Sequence, residues 1–144
     1  MKKIINSLLI VSLLGFGVSI AAPIGHSIEY QSKQQVIKVE GANNTRTIKA
    51  KEGDKIVIEG VNNKITIVGN AAELKVEGAN NTVNAAGIIK IDIEGTNNMI
   101  NASQVDVINV EGAGNHVHYK STSAKDGIAK VKTEGVNNMI KKIK

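Results

Sequence analysis

One phrase, E-G-x-N-N-x-[IV], recurs from residue 40 to the end of the chain, and a short repeat of this kind restricts the fold more than any other feature. Its six glycines are Gly41, Gly60, Gly78, Gly95, Gly112 and Gly135, separated by 19, 18, 17, 17 and 23 residues. The period is therefore near 18, with one insertion before the last copy. Eleven of the 16 asparagines stand in the motif, and only Gly114 interrupts the Asn pair. A unit of this length has too little surface to bury its own apolar face, so copies must stack on one another.

Alignment on the glycine shows which way each column points, because side chains alternate across a strand. Four residues before it stand Ile37, Ile56, Leu74, Ile91, Ile108 and Val131; two before it stand Val39, Ile58, Val76, Ile93, Val110 and Thr133. Five after it come Arg46, Ile65, Val83, Ile100, Val117 and Ile140; seven after come Ile48, Ile67, Ala85, Ala102, Tyr119 and Lys142. These columns face inward, and each unit reads as strand, corner, strand, corner. The expected fold is all-β: a short parallel β-helix, or β-solenoid, of about six coils of 17–19 residues. At a strand spacing of about 4.8 Å the stack is on the order of 29 Å long. A left-handed helix of hexapeptides also has 18-residue coils, but it needs apolar residues every six positions, whereas Ile93 to Ile100 is seven. Polar Arg46, Thr133 and Lys142 in otherwise apolar columns mark the end copies as caps, and Lys141, Lys142 and Lys144 discourage strand addition at an open edge.

Composition agrees with this and excludes several functions. After residue 21 there are 30 Ile and Val but one Leu, Leu74, which suits strands and not helices. The 144 residues include no cysteine, so disulfides, thiolate metal sites, thiol catalysis and a lipid-modified cysteine are excluded. Phe16, Tyr30 and Tyr119 are the whole aromatic content, too few to stack nucleic-acid bases or sugar rings.

The N-terminus carries an export pattern: Lys2 and Lys3, an apolar run from Leu8 to Phe16, then Ser19-Ile20-Ala21 as the cleavage site. Residues 1–21 are expected to be a signal peptide, 22–34 an N-terminal lead or cap, and 35–144 the solenoid, with no membrane span left in the mature chain. Its removal lowers the formal charge from +5 to +3, and seven of the remaining 16 basic residues lie at or after Lys120. The charge thus belongs to one end and not to a nucleic-acid-binding face.

Three groups of residues have chemistry worth following. Glu40, Glu59, Glu77, Glu94, Glu111 and Glu134 form a ladder whose neighbours repel by about 0.9 kcal/mol in water, so it needs compensation from Lys38, Lys75 and Lys132, from corner amides, or from a bridging cation. Asn44, Asn63, Asn81, Asn98, Asn115 and Asn138 form a second ladder, where stacked amides bond one another along the axis. His116 and His118 flank inward Val117 and share the outer face. Stacking sets His116 between Met99 and Met139, so Met99, His116, His118 and Met139 are a candidate soft-metal site suited to copper(I). Tyr119 with the insertion from Ser121 to Asp126 is a candidate binding loop. No cofactor is expected. No catalytic triad, paired carboxylates or phosphate loop is recognisable by spacing, so the chain reads as non-enzymatic.

In these units, of which Ile56-Val57-Ile58-Glu59-Gly60-Val61-Asn62-Asn63-Lys64-Ile65 is one, the sequence resembles a bacterial exported repeat family of unknown function with serial [IV]-x-[IV]-E-G-x-N-N-x-[IV] units behind a signal peptide. The resemblance covers about residues 35–144 and brings no catalytic residues. The motif is silent on activity, and the chain is expected to be a periplasmic or extracellular structural or binding module of unknown ligand, its candidate partners being itself, through the solenoid ends, or an envelope component. A self-assembling subunit similar to curli-type amyloids and a periplasmic copper-type metal binder are the alternatives.

Overall fold

The computed structural model describes residues 34–144; the expected signal peptide and all but the last residue of the lead lie outside them. Among the described residues there is no helix. Nine strands follow in order: β1 (Val36–Ala42), β2 (Thr45–Lys49), β3 (Lys55–Val61), β4 (Lys64–Ala79), β5 (Thr82–Thr96), β6 (Met99–Ala113), β7 (His116–Ser121), β8 (Lys130–Val136) and β9 (Met139–Lys142). Every pairing is parallel, in the order β1-β3-β4-β5-β6-β7-β9, with β2 on β4 and β8 on β6. The chain is a β-solenoid, and its six copies of the unit span about five turns from the first corner to the last.

The pairing register is the one set by the glycines. Ile37, Ile56, Leu74, Ile91, Ile108 and Val131 are successive partners, as are the six glycines and the six ladder glutamates. The interior is correspondingly aliphatic, with Ile56, Ile58, Ile65, Leu74, Val76, Ile91, Ile100 and Ile108 fully buried. A further inward column, Ala71, Ile88 and Val105, pairs in register and is buried too. At the last coil the core runs out: Val131 is 42% exposed and Thr133 lies on the surface.

The drift in coil length is absorbed at one place per turn. Between β4 and β5 the register shifts between Ile67 and Asn70, where Gly69 adopts φ 91° and lies so close to Ala50 that a Cβ would meet its carbonyl oxygen at 2.3 Å. In the first turn the equivalent stretch is a tight turn ended by Asp54. This carboxylate is buried but satisfied, accepting from the Lys51 N–H at 2.9 Å and the Gln35 N–H at 3.2 Å.

Candidate functional site

The repeated corner is built from three residues with separate tasks. Gly60, Gly78, Gly95, Gly112 and Gly135 all have positive φ, and a Cβ on any of them would meet the carbonyl oxygen of the preceding glycine at 1.9–2.0 Å. The coils approach each other so closely here that only glycine fits. The first asparagine of each pair is left-handed: Asn43, Asn62, Asn80, Asn97 and Asn137 have φ of 55–58°. Gly114, the one departure from the pair, stands at this position with φ 65°, a conformation that glycine adopts as readily as asparagine.

The second asparagine makes the ladder. Asn63, Asn81, Asn98 and Asn115 are buried, and each Oδ1 accepts both the backbone N–H and the side-chain Nδ2 of the asparagine before it, at 2.8–3.0 Å. Each Nδ2 also donates to a glycine carbonyl of the preceding coil, as from Asn98 to Gly78 at 2.9 Å. The ladder continues through Asn115 to Asn138, whose Oδ1 accepts at 3.0 and 3.1 Å. These bonds fix the corner but leave the amides no capacity for a ligand.

On the adjoining outer face the glutamates are compensated by lysines, in the first four copies one for every two rungs. Lys38 bridges Glu40 and Glu59 at 3.3 and 3.1 Å, and Lys75 lies between Glu77 and Glu94. Lys132 pairs Glu134 at 2.7 Å. The hydrogen bond to Glu59, then that to Glu40, raises the Lys38 ammonium above its ordinary range; Glu77, then Glu94, does the same for Lys75. The hydrogen bond from Lys132 holds the Glu134 carboxyl below the usual range. A shallow recess of about 210 Å³ opens here, lined by Asp92, Glu94, Asn109, Glu111 and Lys132 among others. Burial pushes the Asp92 carboxyl up, but hydrogen bonds from Lys90 and Asn109 outweigh it and leave the group below its ordinary value. Among the described residues no three His, Asp or Glu stand together as a metal cluster.

The insertion is tied down, not free. Asp106 accepts from the Thr122 hydroxyl at 2.9 Å, the Ser123 N–H at 2.7 Å and the Ser123 hydroxyl at 2.7 Å. The side-chain bond from Ser123, followed by its N–H, holds the Asp106 carboxyl below the usual carboxylate range. Ser121 donates to the Ser103 carbonyl at 3.0 Å, Asp126 accepts from the Ile128 N–H at 3.1 Å, and Lys142 donates to the Gly127 carbonyl at 2.8 Å. Tyr119 is only 3% exposed, so it does not present a ring to a ligand as a residue of the candidate loop should. Its ring fills the interior column, and its hydroxyl accepts the Ala129 N–H at 3.2 Å, anchoring the return of the loop. Nothing in the sequence pointed to Asp106, because only the path of the insertion brings its partners to it.

The metal candidates fall on adjacent rungs: Met99 pairs His116, which pairs Met139. The two methionines are 41% and 43% exposed, and both histidines are half-buried. His118 lies on the same strand two residues on, with Nδ1 3.3 Å from Asn101 Oδ1.

Residues 58–103 and again 76–126 match the model of a family described as a protein of unknown function, DUF3060. The chain is similar to DUF3060. The two matches begin at Ile58 and Val76, which are partners on neighbouring rungs, so one family pattern fits the chain twice, displaced by one coil. No curated protein and no solved structure matches the chain.

Proposed function

We propose that the chain is a non-enzymatic, exported solenoid that serves as a structural or binding module of the cell envelope or the extracellular space. The observation that carries this reading is where the polar groups of the described residues are spent. The corner asparagines bond each other, Lys38, Lys75 and Lys132 bond five of the six ladder glutamates, and Asp106 holds the insertion. What is left for a partner is a set of flat outer columns repeating at the strand spacing, a surface suited to docking and not to enclosing a substrate. The similarity to a family of unknown function agrees with such a module, and the lysines, apolar run and small residues of 1–21 support export. Expression of the full chain in a bacterium, followed by fractionation and mass spectrometry, tests it. The expected product lies in the periplasm or medium and lacks the first 21 residues; a full-length cytoplasmic product overturns the export reading. Co-sedimentation with washed envelopes then tests docking, and a soluble monomer that never sediments with them counts against it.

A fibre subunit is the second reading, favoured by the polarity of the Asn ladder. Among the described residues the Asn44 Oδ1 accepts nothing and the Asn138 N–H donates to nothing, so one end of a stack complements the other. Lys141 and Lys142 on β9 oppose such stacking. Light scattering with thioflavin fluorescence decides: a dye-negative monomer at high concentration rejects the fibre.

A further inference from the structure

The column that follows the corner carries side chains that the ladders do not use. In register along the stack it reads Thr45, Lys64, Thr82, Met99, His116 and Met139. The last three bring an imidazole between two thioethers on rungs about 4.8 Å apart. Among the described residues the His116 ring has neither a hydrogen bond nor an ion pair. Both methionines are exposed to solvent.

The neighbouring column prepares a second nitrogen. The Asn101 Nδ2 donates to Asn84 Oδ1 at 3.0 Å, so the atom that Asn101 turns toward His118 is its oxygen, 3.3 Å from Nδ1. An amide oxygen only accepts, so Nδ1 carries the hydrogen and the lone pair of the neutral ring is on Nε2. His118 is thus held in the tautomer that leaves one nitrogen free for a ligand.

We propose that Met99, His116 and Met139, with His118 beside them, bind one soft monovalent metal ion of the copper(I) and silver(I) class. Thioether sulfur is a soft donor that favours copper(I) and offers little to zinc or calcium. Neither this column nor the one containing His118, which reads Thr47, Thr66, Asn84, Asn101, His118 and Lys141, contains a carboxylate, so a hard divalent cation finds no charged oxygen here. Lys141, the partner of His118 on the next rung, repels a divalent ion twice as strongly as a monovalent one. Methionine has the rotatable bonds to close on an ion from the rungs above and below His116.

The test is a titration of the full chain with copper(I), under reductant and against a chromophoric chelator, and with silver(I) followed by the imidazole C–H resonances. One equivalent of copper(I) is expected to bind. The double variant Met99→Leu, Met139→Leu and the single variant His116→Ala should each weaken it at least tenfold, whereas Thr45→Ala, at the far end of the same column, should leave it within twofold. Silver(I) should shift the His116 and His118 resonances. Equal affinity for the methionine double variant, or an unmoved His116 resonance, overturns the proposal. Circular dichroism verifies that the variants keep their strands, and the silver titration of the unaltered chain decides the matter if they do not.

Discussion

Removal of one ladder amide, Asn98→Ala, tests the physical account of the corner most directly. Asn98 is 1% exposed, and four hydrogen bonds end on its side chain. Its Oδ1 accepts the Asn81 N–H and the Asn81 Nδ2, both at 3.0 Å, and its Nδ2 donates to the Gly78 carbonyl at 2.9 Å and to Asn115 Oδ1 at 3.0 Å. After truncation the Asn81 Nδ2 keeps the Gly60 carbonyl, and Asn115 Oδ1 keeps the Asn98 N–H. The Asn81 N–H keeps nothing. The orphaned buried donor costs about 1–3 kcal/mol, and the three other lost bonds contribute about 1 kcal/mol each, so the expected loss is about 4–6 kcal/mol. That is a large part of the roughly 5–15 kcal/mol that holds a domain together. Urea unfolding followed by far-ultraviolet circular dichroism measures it. The matched control is Asn97→Gly, one residue earlier, where the φ of 55° suits glycine and Gly114 already fills the same position; its cost should stay within about 0.5 kcal/mol. A loss below about 1 kcal/mol for Asn98→Ala, or equal losses for the two variants, would refute the assignment of separate tasks to the pair.

Three further outcomes follow from other parts of the structure. Gly95→Ala would place a Cβ 1.9 Å from the Gly78 carbonyl oxygen and should cost at least about 4 kcal/mol or abolish folding; Gly53→Ala, with φ 92° but open space, should cost about 1–2 kcal/mol, and comparable soluble yields and midpoints would contradict the close approach of the coils. Because the folded Asp106 carboxyl lies below its ordinary range, its contribution is present above about pH 4 and is lost as pH falls through the folded value; hydrogen exchange at the Ser123 amide, corrected for intrinsic rate, should be constant from about pH 5 to 8, rise in acid, and rise at all pH values in Asp106→Asn. Tyr119→Phe keeps the ring in the core but leaves the Ala129 N–H without its acceptor, so a loss of about 1–2 kcal/mol is expected in the urea midpoint, and an unchanged midpoint would show that the hydroxyl does not anchor the loop.

The architecture was legible in the sequence because a stacked fold makes every coil report on the same columns. Ile58, Val76 and Ile93 needed only parity to be assigned inward, and the glycine alignment sets the same register as the strand pairing. The column Ala71, Ile88 and Val105 was missed because it lies on the far side of the bulge, where coil lengths change and a fixed offset from the glycine loses its meaning. The Met99, His116 and Met139 column was visible for the same reason as the core. The state of His118 was not, since it depends on which atom Asn101 turns outward. Tyr119 was read both as an inward column member and as part of a binding loop. Its burial decides for the first.

By itself the sequence determined the stacking, its period and its register, because a face that no unit can bury alone leaves a repeating chain no other arrangement. Two asparagines side by side look equivalent in a string of letters. Only the tertiary structure divided them, setting the first in a left-handed bend and the second in a buried amide ladder, because the acceptor of each bond lies one coil away. The same holds for Asp106 and the insertion: proximity across a turn of the solenoid is a property of the stack, and alternation along one strand carries no record of it.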